Sequence, residues 1–297
     1  MNYTCSRFAV IITLFIFLTG CFDIPDEARL NSSWKTVEAQ GWDDESSWFV
    51  TDAAATCPLF SSNASTDSQA EQLPAEFNVA DWNIYKQAGE NWQLELAKLA
   101  ASHDLLILQE AKLSFLPLQL FQQYALSWTQ VEAFSIYEQP IGVLTVSNVA
   151  PLKACKQTVT EPWLRFPKSS LITYFSWAGS DQPLLVANMH LINFTLGIDE
   201  FNQQLAGVIA VISQHKGPVL MAGDFNTWTN KRVNRLLEVT AMANLQKLTY
   251  QQDERITSFG HPLDDMFFSG MRQLSASSYT TESSDHNPII ARFGPLL

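Results

Sequence analysis

The fold of this chain is decided at residues 219–226, which read Val-Leu-Met-Ala-Gly-Asp-Phe-Asn. The four apolar residues predict a short buried strand, and a glycine, a carboxylate and an amide follow where that strand ends. A second polar run, Ser-Asp-His-Asn at residues 284–287, leads into another apolar stretch. A carboxylate can bind a divalent cation or orient a water, an Asn amide can hold a phosphate oxygen, and a His can move a proton. Together the two runs indicate hydrolysis of a phosphoester.

Regular strand and helix patterns surround these runs. Short apolar stretches at residues 77–80, 105–108, 142–147, 170–177 and 184–189 predict strands, and residues 90–102 and 199–215 predict helices. Strand–helix alternation mixed with consecutive strands predicts an α/β protein of two packed sheets with helices outside them. About 220 residues are enough for one such domain, so we predict a single catalytic domain at residues 77–297.

The N-terminus predicts a processed leader. Arg7 is the only charged residue before the apolar stretch at residues 8–18, and Leu-Thr-Gly-Cys follows at 18–21. An apolar core this short, ending in small residues, is typical of a secretory signal rather than a membrane span. Its last four residues resemble the bacterial lipobox, which predicts that residues 1–21 are a lipoprotein signal peptide and that Cys21 is lipidated. The alternative is an uncleaved membrane anchor.

In either case the rest of the chain faces an extracytoplasmic compartment. We expect a lipoprotein of the cell envelope that faces the periplasm, with Phe22 at the second mature position favouring the outer membrane. Residues 22–76, which include a polar, Ser-rich stretch, predict an N-terminal arm or linker. Two cysteines remain once the leader is set aside, and an oxidising compartment predicts a Cys57–Cys155 disulfide. The alternative is two free thiols.

The net charge limits the classes of ligand that the protein is expected to bind. The 297-residue chain has a formal charge of −12. Such a surface repels polyanions and lacks the basic footprint of a protein that wraps duplex DNA. A nuclease with a local basic groove stays compatible with this charge, whereas a dedicated high-affinity DNA enzyme is disfavoured.

Polar residues end the predicted strands in a distinctive order. They are Asn83, Glu110, His190, Asp224, Asn226, Asp264, Asp285 and His286. Their local contexts, at residues 81–84, 108–110, 187–191, 223–226, 262–264 and 284–286, resemble the endonuclease/exonuclease/phosphatase superfamily, which includes DNase I-like nucleases, sphingomyelinases and inositol phosphatases. The resemblance extends over about residues 77–293. The signatures at residues 82–87 and 193–197 are similar to those of a group of bacterial members known by family membership alone.

The resemblance implies a DNase I-like fold, a four-layer α/β/β/α sandwich of two mixed sheets, and a metal site. Glu110 would be the main ligand of Mg²⁺, with Mn²⁺ as an alternative. Asn83 would lie close to the metal, and Asp285 would help to hold the metal or the water. Mg²⁺ takes only one or two protein carboxylates and keeps several waters, so a sparse acidic site suits it.

The resemblance also implies catalytic roles. Asp224 would orient or deprotonate the attacking water, and Asn226 would hold a non-bridging oxygen. His190 and His286 would flank the phosphate as donors or general acid. Asp264 would accept a hydrogen bond from His286, which fixes the tautomer of the imidazole and raises its pKa. Taken singly, each residue also has a structural interpretation, as a solvated strand end, a turn former, a helix cap or a core histidine.

Basic residues add a predicted phosphate-binding rim. Lys86 and Lys168 are the principal candidates. Lys231, Arg232 and Arg235 follow residue 226 on a predicted helix, where they either join this rim or form a solvated helix face.

Asp265 departs from the family pattern, in which an aromatic residue or His follows the Asp at this point. A second carboxylate beside Asp264 would repel phosphate or recruit another cation, unless Asp265 points to solvent.

Three functions fit these observations. One is a phosphodiesterase or phosphatase acting on phospholipids or small phosphodiesters at the envelope, and another is a surface nuclease acting on extracellular DNA. The third is a non-catalytic envelope lipoprotein that retains the fold as a binding or scaffold module. The membrane is an expected partner through the lipid anchor, and no obligate protein partner is implied.

Overall fold

The computed structural model describes residues 22–25, 29–34, 71–162, 164–195 and 197–296. The predicted signal peptide, the lipidation site Cys21 and Cys57 lie outside the described residues. Cys155 is buried. The leader, the lipidation and the disulfide therefore stay predictions.

Sixteen strands and four α-helices build the described part of the chain. The strands are β1 (Phe22–Asp23), β2 (Arg29–Ser32), β3 (Phe77–Asn83), β4 (Leu105–Lys112), β5 (Ser127–Ile136), β6 (Gln139–Ser147), β7 (Lys153–Thr160), β8 (Pro167–Phe175), β9 (Leu184–His190), β10 (Val219–Asp224), β11 (Gln246–Lys247), β12 (Thr257–Ser258), β13 (His261–Pro262), β14 (Asp264–Ser269), β15 (Arg272–Ser278) and β16 (Ile289–Gly294). The helices are α1 (Trp92–Ser102), α2 (Phe115–Gln123), α3 (Asp199–Gln214) and α4 (Asn230–Met242).

Two mixed sheets form the body. The first has the order β1-β5-β6-β4-β3-β16-β15, with β2 also paired to β5, and the second has the order β11-β14-β10-β9-β8-β7. Each sheet contains one parallel pair, β3 with β4 in the first and β9 with β10 in the second. The remaining neighbours are antiparallel, and β12 and β13 form a separate hairpin.

Side-chain alternation along the strands creates the layers. In β3, Val79 packs between the two sheets, whereas Ala80 faces the helices α1 and α2. In β10, Leu220 packs between the sheets and Met221 faces α3 and α4. The four-layer α/β/β/α sandwich is thereby confirmed as a single domain. Burying a large apolar side chain in these layers contributes about 1.5–3 kcal/mol relative to exposure.

Strand β4 extends beyond its predicted end. We expected it to stop near residues 109–110, but it runs to Lys112 after a register shift opposite β6 between Leu108 and Ala111. The shift leaves Glu110 at φ 51°, in the left-handed region. A bulge of this kind re-aims a side chain while the strand continues, and here the side chain is that of Glu110.

The N-terminal arm is only partly a linker. Strands β1 and β2 both pair antiparallel with β5 at the edge of the first sheet, with Phe22 opposite Ile136 and Arg29 opposite Glu132. Within the described ranges, none of the helices has the length and apolar character needed to cross a membrane.

Candidate active site

The site is built where the parallel pair of each sheet ends. Asn83 lies opposite Gln109 at the end of β3 and β4, and Asp224 lies opposite His190 at the end of β9 and β10. The antiparallel strand β14 places Asp264 on the other side of Asp224. Because the two sheets face each other, residues far apart in sequence meet at one edge of the sandwich.

Asp224 is the centre of the cluster. Its Oδ2 accepts a hydrogen bond from Asn83 Nδ2 at 3.0 Å, and its Oδ1 accepts one from the Asn226 backbone N–H at 2.9 Å. The Nε2 atoms of His190 and His286 lie 3.5 and 3.9 Å from Asp224 Oδ2. The structure thus brings five predicted site residues together.

A hydrogen-bonded pair flanks Asp224. The Nδ1 of His286 and the Oδ2 of Asp264 are 2.7 Å apart, which is the predicted dyad. Burial alone would lower the pKa of the His286 imidazole, but Asp264, and next Asp224, outweigh it and raise that pKa to about 10. The imidazole is therefore protonated at neutral pH and presents its Nε2–H towards Asp224.

Asp224 itself is a poised base. Burial, with a smaller contribution from Asp264, raises its pKa to about 6, although the charge of His286 opposes the shift. At neutral pH the carboxylate is mostly ionised, and it retains the basicity to accept a proton from water.

Glu110 forms a second, more exposed part of the site. Lys86 Nζ pairs with Glu110 Oε2, and Lys168 Nζ lies 4.0 Å from Glu110 Oε1. Lys168 Nζ also lies 2.7 Å from His190 Nε2. An ammonium group only donates, so this ring nitrogen must accept the hydrogen bond.

His190 consequently differs from His286. Burial and then the charges of Lys168 and Lys86 hold the pKa of His190 well below its usual range. A neutral imidazole whose Nε2 accepts from Lys168 does not present that nitrogen as a donor. His190 was predicted to act as a donor or general acid, and in this geometry the donor at that place is Lys168, which was predicted to bind phosphate.

The turn that carries Lys86 is strained. Tyr85, Lys86 and Gln87 all have φ between 50° and 56°, in the left-handed region that L residues rarely adopt. Gln87 holds the turn with two hydrogen bonds to the backbone of Lys112, from its Nε2 to the carbonyl at 2.9 Å and from the Lys112 N–H to its Oε1 at 3.1 Å. Sequence reasoning missed Gln87, because no glycine marks the left-handed turn.

The donor set fits a hard cation at Glu110. Asn83 is the last residue of β3, and Glu110 lies at the bulge of the neighbouring strand β4. The oxygen donors of a carboxylate and an amide suit Mg²⁺. A second group, Asp224, Asp264 and His286, also has ligand atoms within 4.8 Å of one another. In this second group, Asp264 and His286 are already hydrogen-bonded to each other.

Asp285 lies apart from the buried cluster. Its side chain is exposed, and it accepts a hydrogen bond from Ser284 Oγ at 3.4 Å. Its charge contributes to the raised pKa of His286, after the contributions of Asp264 and Asp224. The predicted metal role of Asp285 therefore gains no contact from the structure.

Hydrogen bonds hold both the side chain and the backbone of Asn226. Its Nδ2 donates to the Leu191 carbonyl at 2.9 Å, and its own carbonyl accepts from Arg232 Nη1 at 2.9 Å. Arg232 Nη1 also donates to the Ile192 carbonyl at 2.9 Å. The interpretation of Arg232 as part of a phosphate rim is wrong, because this guanidinium is 1% exposed and bound to backbone carbonyls. It fixes the loop after β9.

A buried polar network below the site was also missed. Gln109 Nε2 donates to Asp81 Oδ1 at 2.8 Å and to Asn188 Oδ1 at 3.0 Å. Burial, followed by the charge of Asp264, raises the pKa of Asp81 well above its usual range. Alternation in β3 could have shown that Asp81 shares the inward face of Val79 and Asn83.

Asp265 takes neither of its expected positions. It is buried on the opposite face of β14 from Asp264, where its Oδ2 lies 2.8 Å from Arg255 Nη1 and 2.7 Å from Lys247 Nζ. Tyr250 Oη donates to its Oδ1 at 3.0 Å. The expected solvent exposure of Asp265 is therefore wrong. The cations beside this carboxylate are Arg255 and Lys247, whose charges offset a repulsion of phosphate.

The chain matches the Endonuclease/Exonuclease/phosphatase family over residues 82–286 and belongs to that family. A relative named UPF0294 protein, from Vibrio campbellii, is 40% identical over 224 residues, which cover 73% of this chain and 77% of the relative.

Solved structures show the same fold at low sequence identity. An endonuclease/exonuclease/phosphatase from Beutenbergia cavernae has a TM-score of 0.59 at 14% identity, covering 74% of this chain and 72% of that one. The human Nocturnin catalytic domain with bound sulfate also has a TM-score of 0.59, at 20% identity, covering 76% of this chain and 97% of that one. Family membership indicates metal-dependent phosphoesterase or nuclease activity.

Proposed function

We propose that this protein is a Mg²⁺-dependent phosphoester hydrolase of the phosphodiesterase type, with Mn²⁺ as a possible substitute, held at the cell envelope. The observation that carries this proposal is the arrangement of Asp224 between Asn83 and the His286–Asp264 pair. It places a basic carboxylate and a protonated imidazole within 3.9 Å of each other. A base and an acid with separated pKa values are what hydrolysis of a phosphoester requires.

Each proposed role follows from a contact. Asp224 accepts a proton from the water whose oxygen attacks phosphorus, while the P–O bond to the leaving group breaks. His286 then transfers its Nε2 proton to the departing oxygen, and Asp264 stabilises the imidazole throughout. Lys168 and the remaining amide hydrogen of Asn226 hold non-bridging oxygens.

Glu110 and Asn83 would hold the metal, with exposed Asp285 as the weaker candidate for an additional ligand. When it is bound, the cation neutralises charge that develops on the phosphoryl oxygens and the leaving group. Lys86, now paired with Glu110, would be displaced from that carboxylate and become available to the phosphate.

The envelope location rests on the N-terminal sequence. The apolar stretch at residues 8–18 and the Leu-Thr-Gly-Cys ending support a lipoprotein with its lipid on Cys21. An oxidising periplasm is also where a Cys57–Cys155 disulfide would persist. Metabolic labelling with a radioactive fatty acid tests the location, since Cys21→Ala should abolish incorporation.

Hydrolysis is tested with the purified protein, Mg²⁺ or Mn²⁺, and a chelator control. Suitable substrates are plasmid DNA, bis-p-nitrophenyl phosphate and phospholipid vesicles. We expect that at least bis-p-nitrophenyl phosphate is hydrolysed, with a release of nitrophenol that depends on the metal. DNA cleavage without lipid turnover would identify a nuclease, and the opposite result would identify a lipid phosphodiesterase. No turnover of any substrate with either metal would leave only the non-catalytic binding module.

A further inference from the structure

Large apolar side chains are exposed at the end of the molecule that carries the candidate active site. Phe259 is 85% exposed at the turn between β12 and β13, and Tyr137 is 72% exposed at the turn between β5 and β6. Phe194 and Leu164 are each 50% exposed in loops that follow β9 and precede β8. These four residues are called the apolar rim below. Exposed aromatic groups clustered in this way are typical of an interaction surface.

Phe259 is joined to the site through its neighbours. Its ring lies 6.2 Å from the ring of Trp228, which is two residues after Asn226. Thr227 Oγ1 donates to the Pro262 carbonyl at 2.5 Å, which fixes the hairpin against the loop after β10. Phe259, the most exposed aromatic side chain among the described residues, therefore stands beside the loop that carries Asn226.

Phe194 and Leu164 are held together. Glu161 is buried, and its Oε1 accepts hydrogen bonds from the backbone N–H groups of Asn193 at 2.8 Å and Phe194 at 3.3 Å. This carboxylate ties the β7–β8 loop, which carries Leu164, to the loop that follows His190. The rim on this side is thus a built surface of two connected loops.

The N-terminal segment leaves the fold at the same end. Phe134 and Phe166 have ring centroids 5.5 Å apart, which joins the β5–β6 hairpin to the β7–β8 loop. In β1, Phe22 pairs with Ile136, the residue before Tyr137. The chain that precedes Phe22 includes the apolar stretch at residues 8–18. Any membrane segment or lipid at residues 1–21 is therefore attached beside the apolar rim.

We propose that the apolar rim lies in the surface of a lipid bilayer and that the site hydrolyses the phosphoester of a lipid held in that bilayer. The second half of this inference rests on the proposed function. Aromatic side chains favour the interface between headgroups and acyl chains, and the Lys86 and Lys168 ammonium groups suit a headgroup phosphate. Exposed aromatics also stack on single-stranded nucleic acid, but the exit of the N-terminal segment beside the rim favours lipid.

Docking can be measured without turnover. The full chain is reconstituted in vesicles of phosphatidylethanolamine and phosphatidylglycerol that contain brominated acyl chains, and Phe259→Trp is compared with Met242→Trp. Met242 is also highly exposed, but it ends α4, about 18 Å along the helix from residue 230 near the site. Relative to the wild type, the tryptophan added at 259 should be quenched and the one at 242 should not. Equal quenching at both positions, or a chain that stays in the aqueous phase, would overturn the proposal.

Substrate class is tested by a ratio of two rates. Turnover of phosphatidylglycerol in vesicles is divided by turnover of water-soluble bis-p-nitrophenyl phosphate for the wild type, Phe259→Ser, Phe194→Ser and Met242→Ser. The ratio should fall about tenfold in each rim variant and stay constant in Met242→Ser. An unchanged ratio in the rim variants, or a selective loss of hydrolysis of single-stranded oligonucleotide, would overturn the lipid assignment. If the wild type hydrolyses none of these substrates, the proposed function is refuted. The quenching experiment then still tests whether the apolar rim inserts into the bilayer.

Discussion

The two halves of the site are held in place by different forces. Asp224, Asp264 and His286, the buried half, are each less than 10% exposed and are fixed by hydrogen bonds within the protein. The cationic half consists of Glu110, Lys86 and Lys168. Their side chains are 17%, 37% and 15% exposed, respectively, and are held by ion pairs. The buried half is preorganised, whereas the cationic half must rearrange when a divalent cation binds Glu110. The fold thus fixes the groups that we propose for proton transfer and leaves the proposed metal ligand, Glu110, adjustable.

The largest effect is expected in the buried half. Asp224→Ala removes the carboxylate that accepts hydrogen bonds from Asn83 and Asn226 and that receives the proton of water. Turnover of bis-p-nitrophenyl phosphate should fall by a hundredfold to ten-thousandfold, since a positioned base contributes about that much. Initial rates at saturating Mg²⁺ measure the effect, with circular dichroism to show that the fold is retained. A rate equal to that of the wild type would remove Asp224 from the site.

The cationic half should respond through the metal. Glu110→Gln keeps the size of the side chain but removes its charge, so turnover should fall about a hundredfold and the Mg²⁺ concentration for half-maximal rate should rise. A titration of rate against Mg²⁺ separates the two effects. If Glu110→Gln lowered the rate with the Mg²⁺ dependence unchanged, the metal would not be assigned to this half.

Much of both halves follows from sequence because strand ends are readable. Short apolar runs marked the ends of β3, β9 and β10. Parallel pairing of β9 with β10 brings His190 beside Asp224, and the packing of the two sheets brings Asn83 to the same edge. Side-chain charge and hydrogen-bonding capacity are properties of the residue type alone. The α/β class and the candidate residues could therefore be predicted from the pattern, whereas the family and the four-layer arrangement were implied by the resemblance of the motifs.

What could not be predicted depends on three-dimensional contact. The neighbours Asp264 and Asp265 look alike in sequence, yet one faces His286 and the other faces Arg255 and Lys247. These side-chain pairs depend on the paths of loops, which the periodicity of hydrophobic residues in the sequence does not predict. The left-handed φ values of residues 85–87 and Glu110 are likewise set by the bulge and by tertiary hydrogen bonds, not by a local glycine.

A smaller change should move the pH dependence of the buried half. The proposed mechanism requires ionised Asp224 and protonated His286, so the rate should rise through about pH 6 and fall through about pH 10. Asp264 raises the pKa of His286, and Asp264→Asn removes that charge, so His286 loses its proton at lower pH. The alkaline limb of the pH–rate profile should move to lower pH, and the rate at the pH optimum of the wild type should fall about tenfold. A pH–rate profile of kcat measures the shift.

Asp265→Asn is the matched control for that variant, since it removes the neighbouring carboxylate from the opposite face of β14. It should leave the alkaline limb in place while lowering Tm, because Arg255 and Lys247 lose a buried partner. An equal shift of the limb in both variants would mean that the dyad does not set the pKa of His286.

The smallest effect concerns the ammonium group that now pairs with Glu110. Lys86→Met retains most of the apolar stem but removes the charge, so a divalent cation no longer competes with Lys86 for the carboxylate. Because a partly exposed ion pair contributes about 0.2–1 kcal/mol, Mg²⁺ should bind about 1.4- to fivefold more tightly, as measured by calorimetry without substrate. If Lys86 moves to the phosphate when the metal binds, KM for the phosphoester should rise in the same variant. Tighter Mg²⁺ binding with an unchanged KM would show that Lys86 only balances the charge of Glu110. Unchanged Mg²⁺ binding would show that Lys86 does not compete with the metal, and that the cationic half does not rearrange when the metal binds.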